Sequence, residues 1–303
     1  MPIIVTGASG LIGFAVASEL VKQGIKVIGT DIIQSPINCP FPFFKTDIRD
    51  AHALYSLIKN GAEGIIHCGG ISGPMLLEDQ PHTLIDINIC GTANVLEAAR
   101  VFNLRRVIYC SSTSAYGNTP TNTFLVDETA PLNAVDVYGA SKAAGDILSL
   151  SYSQQYQLDT VSLRFSWVYG PRRRTECILR KMILDARIGK TSKFNFGRNF
   201  KRQYIYIDDV VNSIISSWNA KDLNQHAYNI TGGTQLNFKD ISQIMQSVIP
   251  DVEISNSESD LPGDLLHSQF DISAAQKDLR YKPLTTLDIG IKKYAEWLKE
   301  NEY

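Results

Sequence analysis

The sequence has no long hydrophobic run and no excess of charge of either sign. None of its apolar stretches approaches the length of a membrane-spanning helix. The first predicted strand begins at Ile3, which leaves no room for a signal peptide before it. The 29 basic and 31 acidic residues give a net charge of -2, so the charge predicts no nucleic-acid partner and no membrane surface. We therefore expect a cytoplasmic protein.

Cysteine is too scarce and too scattered for a disulfide framework or a metal centre. The five cysteines are Cys39, Cys68, Cys90, Cys110 and Cys177. Their number is odd, they lack the spacing of metal ligands, and three lie inside apolar stretches. This pattern favours buried free thiols and predicts no metal site. A catalytic thiol would need a basic partner, which the sequence does not show.

The chain does have the length and apolar content for a large core. Its 303 residues are 44% hydrophobic and 20% charged, which is the composition of an ordinary globular protein. This length is enough for one large domain or for two coupled ones.

The most informative stretch is the N-terminal run from Ile3 to Lys22. A β-branched run ending at Thr6 is followed by glycines at spacing three and then by a helical pattern. Glycines permit a sharp turn and a close approach of the backbone to a ligand, and the following helix N-terminus attracts an anion. The stretch therefore predicts a dinucleotide site. Its cofactor-binding residues are Gly7, Gly10, Leu11, Ile12 and Gly13.

An acidic residue in the expected place supports this interpretation. The second predicted strand, 26–30, ends at Asp31, where a carboxylate would accept hydrogen bonds from the adenosine ribose hydroxyls. A carboxylate there would repel a 2′-phosphate, so the sequence predicts NAD rather than NADP. Because strand, helix and acid occur together, a turn that only shapes the backbone is much less favoured.

The edge of the predicted sheet supplies two more candidates. A short strand at 43–45 leads to Asp47 and Ile48, which would lie where an adenine could bind. Asp47 could instead cap the helix that begins near Ala51, a common role for aspartate.

Alternation of strands and helices continues from there. The strand 64–68 ends at Gly69, whose small size suits close passage of a cofactor, and we expect His67 to be structural. A helix over 84–101 and a strand over 106–110 follow. This order predicts a parallel, doubly wound sheet, with ligands bound beyond the carboxyl ends of its strands.

A catalytic pair is predicted beyond the next strand end. Ser111 and Ser112 lie just past the strand 106–110, and Tyr138 and Lys142 open a helix that runs to about residue 156. Residues four apart share a helix face. Tyrosine has an ordinary pKa of ~10, so it acts as a base near neutrality only beside positive charge, such as an ammonium group or an oxidised nicotinamide.

Together these residues resemble the extended branch of the short-chain dehydrogenase/reductase superfamily, in its NAD-dependent epimerase/dehydratase group. The resemblance covers essentially the whole chain, and it implies an α/β fold: a Rossmann-type doubly wound parallel sheet with a smaller C-terminal substrate-binding region. The motifs that carry it are Thr6 to Gly13, Asp31, Asp47 with Ile48, Asn88, Gly91 with Thr92, Asn94 to Ala98, Ser111 to Gly117, Tyr138 with Lys142, Val168 to Pro171, Arg202 and Tyr206 to Val210.

The resemblance also implies roles for individual residues. Tyr138 would be the acid/base, Lys142 would hold the nicotinamide ribose and activate the tyrosine, and Ser112 would orient the substrate hydroxyl. Asn88 would help to hold the nicotinamide side of the cofactor, and Ser111 would also contact the cofactor. The residues expected to bind substrate are Thr113, Trp167, Arg174 and Arg202.

The sequence pattern changes after the predicted strand that contains Arg164. We expect residues 1–166 to form the NAD-binding Rossmann domain, with segments near 204–232 returning to it, and residues 167–303 to form the smaller substrate-binding region. The polar segment 255–264 is predicted to be a mobile loop that would serve as a lid. The helices predicted in this half lie near 176–187, 210–218, 238–248 and 287–300.

Two departures leave the substrate open. Nucleotide-sugar members of the group carry Asn two places before the Tyr-Gly-Pro turn and Arg before a Pro-Gly-Asp turn, and both hold the nucleotide diphosphate. This chain has Trp167 and Leu261 there, although it keeps Arg202. The run from Arg172 to Arg174 would offer another anion site, but a run of charges is more often a solvated face.

The reaction type is better constrained. Dehydratase relatives place Asp-Glu after the serine that matches Ser112, whereas Thr113 and Ser114 stand here and neither is an acid/base near neutrality. The leading hypothesis is therefore an NAD-dependent epimerase acting on a sugar or nucleotide sugar through a keto intermediate. The alternative is an NAD-dependent dehydrogenase of a free or phosphorylated sugar or sugar acid. A third hypothesis, an NAD-binding sensor or scaffold without turnover, conflicts with the intact catalytic residues.

The resemblance also implies a homodimer. Helices around 84–101 and 138–156 form a four-helix interface in relatives, and Leu96, Ala99 and Leu148 are apolar residues that would contribute to it.

Overall fold

The computed structural model describes residues 1–36, 38–119, 125–261 and 263–301. In chain order its strands are β1 (Ile3–Thr6), β2 (Val27–Asp31), β3 (Phe43–Lys45), β4 (Gly64–His67), β5 (Arg106–Ser112), β6 (Thr160–Phe165), β7 (Trp167–Tyr169), β8 (Ser192–Phe194), β9 (Lys201–Arg202), β10 (Tyr204–Tyr206), β11 (Ala227–Ile230), β12 (Leu236–Asn237) and β13 (Ile254–Asn256). The α-helices are α1 (Leu11–Lys22), α2 (Ala51–Ile58), α3 (Pro81–Ile85), α4 (Gly91–Val101), α5 (Val137–Tyr156), α6 (Ile178–Arg187), α7 (Ile207–Asn219), α8 (Phe238–Val248), α9 (Ser273–Leu279) and α10 (Leu287–Glu300).

Seven of these strands form one parallel sheet, in the order β11-β6-β5-β4-β1-β2-β3. The chain builds outward from β1 through β2 and β3, then crosses back to β4 and builds outward on the other side. The order of the strands therefore reverses between β1 and β4, which is where open α/β sheets bind their ligands. The predicted Rossmann-type doubly wound sheet is confirmed.

The central strand explains why the sheet is buried on both faces. Ile3, Ile4 and Val5 are almost fully buried, and such continuous β-branched runs suit a strand covered by helices on either side. Helix α1 then begins after Gly10, which has no side chain to cap it. The amide groups of its first turn are thus left for an anionic ligand.

Helix α2 shows how a helix is capped where no ligand is needed. The Asp50 side chain accepts a hydrogen bond from the Ala53 amide at 3.0 Å, so Asp50 caps this helix and the alternative role for Asp47 is wrong. Asp47 instead accepts hydrogen bonds from the backbone amide and the guanidinium of Arg49. These bonds hold the pKa of Asp47 below its usual range.

The two predicted regions share one hydrophobic core, which includes Val5 of β1, Leu163 of β6 and Ile291 of α10. Strand β11 forms an edge of the main sheet beside β6, so this part of the chain does return to the Rossmann layer. Strand β10 instead pairs with β7 in a separate two-stranded sheet. The division at residue 166 stays a prediction.

Several element boundaries differ from those expected. The helix predicted over 84–101 begins at Pro81, a favourable first helical residue, and contains a π-helical turn, Asp86–Cys90. Helix α7 begins at Ile207 instead of residue 210, with acidic residues in its first turn that favour a helix start. Helix α6 begins at Ile178 rather than residue 176, whereas α8 and α10 have the bounds predicted for them.

The polar segment 255–264 is only partly a loop. Ser255 and Asn256 belong to β13, which pairs with β8, so the predicted loop begins later than expected. Pro262 lies outside the described residues, and the role of this segment as a lid stays a prediction. Among the described helices, none is both long and apolar enough to cross a membrane.

Candidate active site

A cavity of about 380 Å³ lies beyond the carboxyl ends of the central strands. Nearly every residue predicted to bind cofactor or substrate, or to act in catalysis, lines it; Asn88 and Arg202 are the two exceptions. The predicted residues around the cavity are Gly7, Gly10, Leu11, Ile12, Gly13, Asp31, Asp47, Ile48, Gly69, Ser111, Ser112, Thr113, Tyr138, Lys142, Trp167 and Arg174.

The glycine turn is compressed in a way that only glycine permits. Gly7 has φ +66°, and a Cβ there would lie 2.6 Å from the carbonyl oxygen of Cys68. A Cβ on Gly13 would overlap the carbonyl group of Gly7. The turn therefore brings the uncapped start of α1 directly against the cavity, as a bound pyrophosphate requires.

Asp31 is held at the end of β2 with its carboxylate at the cavity. One carboxylate oxygen accepts a hydrogen bond from the Ser9 amide at 3.0 Å, and the other accepts one from the Ile33 amide at 3.3 Å. Each oxygen keeps a further lone pair for a ribose hydroxyl. With the glycine turn, this carboxylate fits the adenosine end of NAD.

Replacing Asp31 by alanine should relax the preference for NAD over NADP. The carboxylate that binds the ribose hydroxyls and repels a 2′-phosphate is then absent, so NAD should bind more weakly and NADP relatively better. Calorimetric titration with both cofactors measures this, with Asp50→Asn as a control that removes one carboxylate outside the cavity. Equal or tighter binding of NADP by the wild type would contradict the assignment.

The catalytic pair lies at the start of α5, which Asp136 caps by accepting a hydrogen bond from the Gly139 amide at 2.7 Å. Tyr138 and Lys142 are both 8% exposed. The Lys142 ammonium donates a hydrogen bond to the Cys110 carbonyl at 3.0 Å and lies 6.0 Å from the centre of the Tyr138 ring. The lysine is thereby fixed between the strand end and the tyrosine.

The charge of Lys142 is maintained despite its burial. Burial alone would lower the pKa of Lys142, but the acidic groups around it, chiefly Tyr109 with contributions from Tyr138, Cys110 and Asp146, outweigh burial and raise the pKa to about 12. Lys142 is therefore positively charged at neutral pH, as a partner that activates a tyrosine base must be.

Ser112 is the last residue of β5 and points its hydroxyl group at the turn that follows. Its Oγ accepts a hydrogen bond from the Ser114 amide and donates one to the Ser114 hydroxyl, both at 3.1 Å. Thr113 begins the short 3₁₀ helix at this point and also lines the cavity. These residues line the same cavity as Tyr138, where a substrate hydroxyl would need partners.

Asn88 is buried and is not among the residues that line the cavity. It is 2% exposed, and its side-chain oxygen accepts from the Ile71 amide at 2.8 Å while its nitrogen donates to the Ile71 carbonyl and the Ser141 hydroxyl. Asn88 thus ties the loop after β4, which lines the cavity, to α5. Direct contact between Asn88 and the cofactor stays a prediction.

The arginine run after β7 is solvated only in part, because Arg174 is exposed, Arg172 is half-buried and Arg173 is buried. Arg172, Arg173 and Arg174 all line the cavity. Arg173 is 7% exposed and donates to the carbonyls of Val168 and Glu176. Arg173 therefore shapes the wall, and its neighbours bring positive charge to the cavity.

Arg202 lies outside the cavity lining, in a buried ion pair. Its guanidinium donates to both oxygens of Asp264, at 2.6 and 3.0 Å. The group also stacks at 4.0 Å from the Phe200 ring centre and 4.3 Å from that of Trp167. Arg202 thus supports the tryptophan that lines the cavity, and direct substrate contact by Arg202 stays a prediction.

Two groups near the strand ends are structural. His67 bonds to the hydroxyls of Thr6 and Thr92 at 2.7 and 3.1 Å, and burial lowers its pKa to about 3.

All five cysteines are free, but only Cys110 is buried, so the expectation of general burial is wrong. The sulfurs of Cys68 and Cys110 lie 3.3 Å apart, and their hydrogen bond together with burial raises the pKa of Cys68, which disfavours a reactive thiolate.

Comparison with known proteins decides the family. The sequence model of the NAD dependent epimerase/dehydratase family matches residues 3–231. The chain belongs to this family. It is 28% identical over 312 residues to UDP-glucose 4-epimerase of Mycolicibacterium smegmatis, with 99% of both chains covered. It is 27% identical over 315 residues to UDP-glucuronate 4-epimerase of Thermodesulfobacterium geofontis, with 98% of this chain and 96% of that one covered.

Solved structures agree with the fold. The chain superposes with a TM-score of 0.91 on UDP-glucose 4-epimerase of Thermotoga maritima with UDP-glucose, at 24% identity and 99% coverage of both chains. UDP-glucuronic acid 4-epimerase of Bacillus cereus, in complex with UDP-glucuronic acid and NAD, gives 0.86 at 25% identity, again with 99% of both chains covered.

These findings establish the cofactor and the class of enzyme. The family is NAD-dependent, and the glycine turn and Asp31 provide the geometry that NAD needs, so the predicted cofactor is confirmed. The named relatives likewise confirm the predicted NAD-dependent epimerase and do not favour a net dehydrogenase. The resemblance to the extended short-chain dehydrogenase/reductase branch is confirmed with them.

Proposed function

We propose that this protein is a 4-epimerase of a UDP-activated hexose or hexuronic acid. The observation that carries the proposal is that Ser112, Tyr138 and Lys142 line the same cavity as the glycine turn and Asp31. An acid/base group, a fixed positive charge and a hydroxyl partner thus meet where the cofactor binds.

The residues of the chain have distinct parts in this reaction. Bound NAD would supply the reversible hydride acceptor that inversion at carbon 4 of the sugar needs, and the glycine turn, Asp31 and Lys142 would hold it. Tyr138 takes the proton from the 4-hydroxyl group and gives it back, and Lys142 stabilises the phenolate that forms. Ser112 holds the oxygen on carbon 4. Thr113 and Ser114 provide no second acid/base, so elimination of water stays disfavoured.

The UDP part of the proposal is supported by relatives and by charge. The curated relatives cited above act on UDP-glucose or UDP-glucuronate, as their names state. In this chain Trp167 and Leu261 replace two side chains that hold a diphosphate in the group. Arg174 at the cavity would supply positive charge in their place.

A panel of sugars tests the proposal. The enzyme is incubated separately with UDP-glucose, UDP-galactose, UDP-glucuronic acid, galactose 1-phosphate and free galactose, and products are separated by chromatography. We expect conversion of a UDP-sugar to its C4 epimer, with the same final ratio approached from either epimer. Conversion of only the sugars without a nucleotide would contradict the UDP assignment.

We also propose that the enzyme is a homodimer, as the resemblance implies. Ile147 and Leu150 on α5 are 58% and 37% exposed, and an exposed apolar strip of this kind supports a contact between two copies. Two of the residues predicted there are unsuitable, because Leu96 and Ala99 are fully buried in the core; Leu148 is only partly buried, so its contribution stays a prediction. A cytoplasmic location stays a prediction.

Sedimentation tests the dimer. The wild type should sediment as a dimer at micromolar concentration, and Ile147→Glu should shift it to monomer because a charge then replaces an apolar contact. Ile188→Glu is the control, because Ile188 is 75% exposed and lies outside these helices. This substitution introduces the same charge and should leave the dimer intact. A stable wild-type monomer would reject this proposal.

A further inference from the structure

Arg172 has an unusual backbone conformation beside the cofactor cavity. It follows Pro171 in the turn after β7 and has φ +71°, in the left-handed region that side-chain-bearing residues seldom occupy. Such strained residues persist where the surrounding structure holds them, and they are common at ligand sites. This conformation makes the Arg172 side chain a candidate for contact with a ligand.

The side chain reaches across to the start of α1. Its guanidinium carbon lies 4.0 Å from the centre of the Phe14 ring, and Phe14 follows directly after Gly13, the last glycine of the turn. An arginine stacked on an aromatic ring in this way is held by a cation–π interaction. Arg172 also lines the cavity together with Gly10 and Gly13. The stack therefore fixes a positive charge at the cavity, near the helix start.

The hydrogen bonds of the described residues include none from this guanidinium. The Nε atom is buried and has no hydrogen-bond partner among the described residues, and the ion pairs found there include none to Arg172. Arg173 next to it also has an unpartnered Nε, but both of its terminal guanidinium nitrogens donate to carbonyl groups. A buried, unpaired N–H of a charged group is costly unless a ligand binds it.

An anion bound between Arg172 and the first turn of α1 would accept hydrogen bonds from the guanidinium and from the amide groups of that turn. The amide groups of that turn are uncapped and attract negative charge, and a guanidinium is well suited to bind phosphate oxygens. We propose that Arg172 clamps the pyrophosphate of NAD against the first turn of α1 and so retains the cofactor during turnover. Retention matters because, under the proposed epimerase function, the hydride must return to the substrate.

Binding measurements without any sugar test the clamp. NAD is titrated calorimetrically into apo wild type, Arg172→Gln and Arg198→Gln, the last being a matched change at an exposed arginine outside the cavity lining. We expect Arg172→Gln to raise the Kd for NAD by about 10- to 100-fold, as the loss of a charge-assisted hydrogen bond does, and Arg198→Gln to leave it unchanged. An unchanged Kd in Arg172→Gln would overturn the clamp.

A second ligand separates the cofactor from the substrate. UDP should bind Arg172→Gln as tightly as it binds the wild type, and a loss of UDP affinity as large as the loss for NAD would overturn the assignment to the cofactor. Because these titrations measure NAD and UDP binding directly, the clamp stands or falls independently of whether a UDP-sugar is epimerised.

Arg172→Gly separates binding from folding. Glycine adopts φ +71° without strain, so this variant should keep or raise the thermal midpoint of the apo protein. Its Kd for NAD should rise by a factor similar to that expected for Arg172→Gln. More of its NAD should also be lost on desalting than from the wild type. A lowered midpoint with unchanged NAD affinity would show a purely structural arginine and overturn the proposal.

Discussion

Tyr138→Phe is expected to lower kcat by ~10²–10⁴, the usual contribution of a positioned acid/base. Only the phenolic oxygen is removed, and the ring that packs at the start of α5 remains. The affinity for NAD should change little, because the lost hydroxyl contacts the reacting group rather than the dinucleotide. Initial rates with the active UDP-sugar, together with calorimetry for NAD, measure both effects.

The matched control is Tyr156→Phe, at the far end of the same helix. That side chain is 47% exposed and lies outside the cavity lining, so kcat should stay within a few-fold of wild type. Wild-type rates in Tyr138→Phe would reject Tyr138 as the acid/base and, with it, the proposed mechanism.

Asp146→Ala is expected to destabilise the fold by about 3–5 kcal/mol, the cost of breaking a buried ion pair. Asp146 lies one turn after Lys142 on α5 and accepts from the Arg164 Nε at 2.7 Å; the two side chains are only 4% and 7% exposed. Arg164 also donates to the Tyr116 hydroxyl at 2.6 Å and to the Glu128 carbonyl. Loss of the carboxylate leaves a buried guanidinium charge without its counterion.

Denaturant unfolding followed by circular dichroism measures this cost. Asp208→Ala is the control, because Asp208 pairs with Lys293 in an ion pair whose side chains are 54% and 49% exposed, and such surface pairs contribute only about 0–1 kcal/mol. If the two substitutions lower the free energy of unfolding by the same small amount, the buried pair does not make the expected contribution to stability.

The parts of the site that depend on short stretches of sequence were predictable. The glycine turn is decided by residues within one strand, turn and helix, and the acid at Asp31 follows at the end of the next strand. Tyr138 and Lys142 are one helical turn apart, so their shared face follows from helix geometry alone. For these residues, the local sequence alone predicts the position in the folded protein.

Other features depend on pairs that are distant in the chain. Asp264 is 62 positions from Arg202. No local pattern predicts that the Asp264 carboxylate pairs with the Arg202 guanidinium, which is expected to bind substrate. The bonds between the Asn88 side chain and the backbone of Ile71 likewise join residues 17 positions apart. Leu96 was expected at an interface because it is apolar, but helical periodicity alone does not distinguish a face against the core from a face against another subunit.

The position of the arginine run is another feature that the local sequence does not predict. A run of charges is most often exposed, yet the turn after β7 carries Arg172 and Arg173 to the cavity wall. Only the packing of that turn against Phe14 of α1 reveals this, because the two segments are far apart in sequence.

The most direct test of the account is the fate of the hydrogen on carbon 4 of the sugar. The active UDP-sugar, deuterated at carbon 4, is incubated with the enzyme, and the product is analysed by NMR and mass spectrometry while NADH absorbance is followed. An epimerase that returns the same hydride should give the C4 epimer with its deuterium kept at carbon 4, with no steady rise in free NADH. Loss of deuterium from the product, or net accumulation of NADH with an oxidised sugar, would contradict the central claim.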